Sequence, residues 1–431
     1  MDTADSIRAA LADPGQLESL YQAARRRGQT GEFAAMLEAC YEQAPDNPLY
    51  AAWHYRLQAE AAPRMVAARW RVAVPLALLS SLVFAALTDE SLSLPEYIPL
   101  VMFLWAPLAG AAIIAFLALA GRSSWRRPVL AVVGLAAATV YALLWARLPL
   151  LRDYRTLMLL HLPLAAWIAV VLALLGTRPG REPLFAVLAK SVEVLITGGV
   201  FAIVTMIFVA IAGGMLSQLG VWIRPEIGTR LVGAALGALP VLAVATVYDP
   251  EREPLDQTFE QGAGHLLITI TRLLLVPASA VLVVVLGLIP FSFMRPFADR
   301  GLLIAYNVML FAVMALVLGA APVRGEGFAP RYRRALRAGI VAVAGLAVLV
   351  SLYALSATAY RTVLGGLTPN RMTVIGWNAI NIAILGALVA TQLRSPEERW
   401  LDALHGVYAR GAAAYVVWGV FLIVATPLIF R

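Results

Sequence analysis

Eleven apolar stretches of membrane-spanning length divide the chain from residue 72 to residue 429, and they constrain the fold more than any single motif. They lie near residues 72–87, 98–120, 128–145, 157–175, 184–216, 231–247, 266–289, 302–320, 338–356, 372–390 and 412–429. Hydrocarbon offers no water to backbone N–H and C=O groups, so such runs must close their hydrogen bonds internally, as helices. Only 14% of the residues are charged, against roughly 25% in a soluble domain, and 61% are hydrophobic. The expected fold class is all-α: a polytopic integral membrane protein of about eleven transmembrane helices, residues 65–431, behind a small helical cytoplasmic N-terminal domain, residues 1–64.

The formal charge of +8 would suggest nucleic acid in a soluble chain. Here the arginines mostly flank apolar runs, so the expected contact is the lipid bilayer and no nucleic acid. One cysteine, Cys40, excludes an intrachain disulfide and a cysteine-cluster metal site. The four histidines, His54, His161, His265 and His405, show no paired metal spacing. With no nucleophile elbow and no phosphate loop either, no catalytic constellation, metal or cofactor is expected.

Residues 1–64 lack a signal-peptide pattern. Helical periodicity appears in residues 4–12, 16–27, 32–43 and 49–58, broken by Asp13-Pro14-Gly15, residues 28–31 and Pro45-Asp46-Asn47-Pro48. Tyr21, Ala24, Gly28, Phe33, Leu37, Tyr41 and Pro45, with Asn47 just after, resemble a single tetratricopeptide-like helix pair. One pair cannot bury a core alone. The segment therefore reads as a cap or as a docking module for a cytoplasmic protein partner.

Polar residues inside the apolar runs are the candidate functional groups. Lys190, the only lysine, and Glu193 share a face of the fifth span with Thr197. Each charge at bilayer depth costs about 2.5–3.5 kcal/mol even on a lenient insertion scale. The seventh span carries His265, Thr269 and Arg272 on one face, at a similar depth. Equal depth suggests that Glu193 faces Arg272. Asn378 and Asn381 on the tenth span, with Tyr306 and Asn307 on the eighth, suit hydrogen bonds between helices. Gly233 and Gly237 form a small-xxx-small pattern for close helix approach, and Gly213-Gly214 suggests the end of the fifth helix. The acidic stretch from Asp249 to Glu260 reads as a solvated, proline-stiffened connector.

The ninth span ends in Tyr360-Arg361, and Gly365-Gly366-Leu367-Thr368-Pro369-Asn370-Arg371 leads into the tenth. Through Arg361, Gly366, Leu367, Thr368 and Arg371 this resembles the bacterial membrane family called domain of unknown function 4153. Where that family often has tyrosine before the glycine, this chain has Gly365. The resemblance implies a bacterial membrane protein of many spans with a late helix pair, and it transfers no activity, cofactor or catalytic residue. Taken alone, the segment suits a capped interhelical turn or an outer-face anion site between the two guanidiniums.

Two functions from different classes fit these residues. The first is transporter or channel-like, with a pathway through Lys190, Glu193, Thr197, His265, Thr269 and Arg272. The second is a non-catalytic scaffold or assembly factor that docks a partner through the N-terminal domain. A membrane enzyme acting on lipid has no residue pattern behind it.

Arginine placement orients the chain in a bacterial inner membrane with the N-terminus cytoplasmic and, after eleven crossings, the C-terminus outside. Arg122, Arg126, Arg127, Arg178, Arg181, Arg331, Arg333, Arg334, Arg337, Arg394, Arg399 and Arg410 then face the cytoplasm, while Arg147, Arg152 and Arg155 break the rule. Cysteines introduced into residues 1–64 or 331–337 should stay unlabelled by an impermeant thiol reagent on intact cells. Labelling from outside would reverse the orientation.

Overall fold

The computed structural model describes residues 7, 9–10, 13–27, 30–61, 69–89, 91–95, 98–121, 124–148, 152–259, 263–324 and 329–430. The chain forms two compact units. One comprises Met1–Met65 together with Pro322–Ala338, so the N-terminal domain expected over 1–64 also takes in the arginine-rich segment after the eighth span. The other comprises Val66–Ala321 and Gly339–Arg431.

In the first unit, α1 (Pro14–Arg27), α2 (Thr30–Gln43) and α3 (Pro48–Ala61) follow the periodicity of the sequence. Asp13 Oδ1 accepts from the amides of Gly15 and Gln16 at 2.9 and 3.1 Å, capping α1. Asn47 does the same for α3 through the amides of Leu49 and Tyr50. The core joins Leu17, Tyr21, Ala24, Phe33, Leu37 and Cys40 to Tyr50 and Trp53. The third helix thus supplies the aromatic surface that a lone helix pair lacks. Trp53 meets Tyr21 edge-on at 5.2 Å, and Arg56 lies 4.3 Å above the Trp53 ring while its Nη1 pairs with Glu18 at 2.9 Å. Of the tetratricopeptide-like positions, Tyr21, Ala24, Phe33 and Leu37 are core; Gly28 lies outside the described residues.

The second unit begins with α4 (Trp70–Leu87) and a two-residue hairpin, β1 (Ser93–Leu94) antiparallel to β2 (Ile98–Pro99), with Leu94 opposite Ile98. The helices that follow are α5 (Leu100–Ala120), α6 (Arg126–Ala146), α7 (Arg152–Leu175), α8 (Arg181–Gln218), α9 (Pro225–Val247), α10 (Ala263–Leu288), the short α11 (Arg295–Ala298) and α12 (Arg300–Ala320). α13 (Pro330–Gly365), which belongs to this unit from Gly339 onward, α14 (Pro369–Arg394) and α15 (Trp400–Ile429) complete the chain. Among the described residues, eleven helices are long and apolar enough to cross a membrane, in register with the eleven stretches read from the sequence.

One boundary differs from expectation. α8 does not stop at Gly213-Gly214 but continues to Gln218 and ends at Gly220, whose φ of 73° is left-handed. The Val221 amide then reaches back to the Leu216 carbonyl at 2.9 Å, the usual closure of a helix with glycine beyond its end. In an apolar run, breaking the helix at 213 would leave carbonyls unanswered, which costs more than two helical glycines. At 1.5 Å per residue α8 is roughly 57 Å long, well beyond a hydrocarbon core of about 30 Å.

Ion pairs join the ends of helices that are distant in sequence. Asp89 beyond α4 pairs with Arg230 near the start of α9 at 2.7 Å, Arg69 pairs with Glu251, and Arg181 approaches Asp402 at 3.9 Å. The Ser91 hydroxyl and amide, with Arg230, hold the Asp89 carboxyl below its ordinary value.

One close helix contact is the one the small-xxx-small pattern predicts. Gly233 and Gly237 let α4 lie directly on α9: a Cβ at 237 would come within 2.6 Å of the Phe84 ring, and one at 233 within 2.5 Å of Thr88 Cγ2. Across the same seam, Ser80 and Ser81 donate to the carbonyls of Gly237 and Ala234, both at 2.7 Å. Gly237→Ala should therefore push Phe84 aside and destabilise the bundle by about 1–3 kcal/mol. A denaturation midpoint in detergent equal to that of the wild type would show that this contact does not need the glycine.

Candidate functional site

Lys190 sits almost three turns into α8, too far from its first residue for the ammonium to be left to water. Its side chain is 3% exposed, and that of Glu193 is 12% exposed. The ammonium donates to Glu193 Oε2 at 2.7 Å, to the Val247 carbonyl at 3.4 Å and to the Thr258 carbonyl. The Phe259 ring lies 5.2 Å away on a further side. An ammonium has three protons, so three oxygens and an aromatic face answer it fully.

One of those oxygens, that of Val247, is the last carbonyl of α9, and that of Thr258 comes from the stretch between α9 and α10, which corrects its reading as a solvated connector. Gln257, buried, accepts from the Asp249 amide at 3.0 Å and donates to the Asp249 carbonyl at 2.8 Å. Arg252 Nε pairs with Asp249 Oδ2 at 3.1 Å, and Pro254–Asp256 forms one 3-10 turn. These bonds fold the segment back on itself and hold the Thr258 carbonyl over Lys190. Its prolines and acidic residues shape a clasp.

The expected partnership of Glu193 with Arg272 is replaced by this arrangement. Glu193 pairs with Lys190 on its own helix, whereas Arg272 Nε donates to the Ala320 carbonyl at 3.2 Å. Ala320 is the last residue of α12, where carbonyls lack helical partners, so the guanidinium caps that end. Thr271 beside it packs on Gly319, with Cγ2 3.0 Å from where a Cβ would stand. Thr197 is half-buried one turn beyond Glu193, and Thr269 is exposed on α10. The side chain of His265 lies outside the described residues. Of the six residues read as one polar site, the structure brings Lys190 and Glu193 together.

The amides expected to join helices do so. Asn378 Nδ2 on α14 donates to Asn307 Oδ1 on α12 at 2.9 Å, and the Tyr415 hydroxyl on α15 donates to Asn381 Oδ1. Beside them lies a link that the spacing of residues did not reveal. His161 on α7 has Nδ1 2.7 Å from the Leu157 carbonyl, so that nitrogen carries the proton, and Nε2 accepts from Trp377 Nε1 at 3.1 Å. Both ring nitrogens are engaged and the imidazole is held neutral. Arg155 is a second group missed. It is 1% exposed and donates through Nη1 to the carbonyls of Leu148 and Ala146, closing the end of α6. Its conflict with the positive-inside rule was the available signal.

At the late helix pair, Gly366 has a φ of 75° and Thr368 Oγ1 accepts from the Arg371 amide at 3.3 Å, capping α14. Arg371 Nη1 turns back to the Gly366 carbonyl at 2.6 Å, and Arg361 Nη1 reaches the Ala298 carbonyl at 2.9 Å. Each guanidinium holds backbone, and Leu367 is exposed between them. A Cβ at 365 would lie 2.7 Å from Arg371 Nη1, so the glycine found there leaves room for this arginine. No family model matches the chain, and no curated protein or solved structure matches it either.

Removing one charge from the Lys190–Glu193 pair leaves the other buried and unanswered, at a cost of about 3–5 kcal/mol. Lys190→Met should therefore destabilise the bundle more than Lys190→Met combined with Glu193→Leu. Strictly additive losses in this double-mutant cycle, followed by chemical denaturation, would refute the coupling.

Proposed function

We propose that the chain is a non-catalytic scaffold of the bacterial inner membrane. In this reading a rigid platform of eleven spanning helices presents a folded helical unit, residues 1–65 with 322–338, to a cytoplasmic protein partner. The observation that carries it is the enclosure of Lys190, whose three protons go to Glu193, Val247 and Thr258. A group that conducts protons or ions must exchange partners with water, and this ammonium is walled in by backbone carbonyls and Phe259. The same holds for His161, bonded at both nitrogens, and for the Asn378–Asn307 and Tyr415–Asn381 links. Polar groups spent on joining helices make a stiff support. The helical unit has a core of its own around Tyr21, Phe33 and Trp53, as a docking module requires.

The transporter or channel-like reading draws on Glu193, whose side chain keeps 12% exposure, and on the exposed Thr269. Water accessibility separates the two. In a Cys40→Ala background, Thr197→Cys and Thr269→Cys should resist an impermeant thiol reagent in proteoliposomes, while Glu253→Cys, at an exposed position of the clasp, reacts. The wild type should pass no ion or metabolite under the same conditions. Labelling at both 197 and 269, or any flux lost in Glu193→Gln, would overturn the scaffold in favour of a conduit.

A further inference from the structure

Four arginines converge on one cleft of about 430 Å³ at the end of the bundle where α8 begins. Arg181 comes from the first turn of α8, Arg394 from the last turn of α14, Arg399 from the turn that follows, and Arg410 from α15. Asp402 is the carboxylate on its wall. It lies 3.9 Å from Arg181 Nη1, and among the described residues Arg394, Arg399 and Arg410 make no ion pair. The lining therefore carries an excess of positive charge.

This concentration is unlike that of arginines placed only to orient helices. Such side chains extend separately along the bundle surface to reach headgroups. Here the Arg181 guanidinium is laid against Gly406 of α15, where a Cβ would stand 3.5 Å from Nη1. The neighbouring walls are fixed: Gln392, buried, donates to the Trp400 carbonyl at 2.8 Å and ties the end of α14 to the start of α15. Both α8 and α15 begin at this wall without a side-chain cap and α14 ends at it, so the helix dipoles offset in part and the positive charge of the cleft is that of its arginine side chains. Holding unpaired guanidiniums together costs free energy through mutual repulsion, and an anion between them removes that cost. Guanidinium forks match phosphate oxygens two at a time, and the cleft has the volume of a small-molecule site rather than of a bare ion.

We propose that this cleft binds a phosphate group carrying an organic substituent, gripped by Arg394, Arg399 and Arg410, with Arg181 positioned by Asp402 and Gly406. Two sources offer that chemistry: the headgroup of an anionic phospholipid, and a soluble phosphomonoester. The test uses the full chain in nanodiscs of phosphatidylcholine, with thermal midpoints read against sn-glycerol 3-phosphate, and separately against nanodiscs containing phosphatidylglycerol. The midpoint should rise with at least one probe. Arg394→Gln combined with Arg399→Gln should weaken the response at least tenfold in apparent affinity, while its midpoint without probe stays that of the wild type because both side chains are exposed. Arg178→Gln, an exposed arginine outside the cleft, should respond as the wild type does. A response to phosphatidylglycerol alone assigns the lipid headgroup; a response to glycerol phosphate assigns a soluble ligand. No shift with either probe, or an equal shift in the Arg394/Arg399 variant, would overturn the proposal.

Discussion

A charge held away from water must be answered by the protein, and in this chain that demand shapes the meeting of α8, α9 and the segment after α9. Lys190 cannot be satisfied by its own helix, whose carbonyls are already engaged. It draws on Glu193 and on two backbone oxygens from elsewhere, and the second of these is available only if residues 249–259 fold back. The Gln257–Asp249 bonds and the Arg252–Asp249 pair then stabilise a fold that the ammonium has selected. A single lysine thus converts an interhelical loop into ordered structure.

The same requirement recurs in other parts of the bundle. Arg272 serves the end of α12 and Arg155 the end of α6, each through a backbone carbonyl that a terminating helix leaves open, and Arg371 holds the Gly366 carbonyl in the turn before α14. Arginine suits this work because its fork reaches several acceptors and its charge is constant. Where no charge is needed, approach replaces it. The α4–α9 seam is held by two glycines and two serine hydroxyls, and lies closer than side-chain packing would allow.

The helices were largely legible in the sequence because long apolar runs must close their backbone hydrogen bonds internally. Gly233 and Gly237 were legible for a related reason, since close packing needs small residues at fixed spacing. Other features left no such trace. The partners of Lys190 are mostly carbonyls, which every residue has, so no side-chain pattern points to them. Matching Glu193 to Arg272 used depth along two helices and ignored rotation about each, and the open carbonyl of Ala320 claimed the guanidinium. Gly213-Gly214 misled because a helix stop learned from water-exposed termini does not hold inside an apolar run. The hairpin of β1 and β2 is too short to show any periodicity.

The order of synthesis gives the Lys190 clasp a further meaning. A chain emerging from the ribosome completes α8 before residues 247 and 258 have been made. During that interval two of the three oxygens that later surround the ammonium do not exist. Glu193 does, three residues further on and on the same face, so α8 alone already carries the pair as a nearly neutral unit. The acidic partner on the same helix answers the lysine first, and the connector takes over part of its role once α9 has turned back.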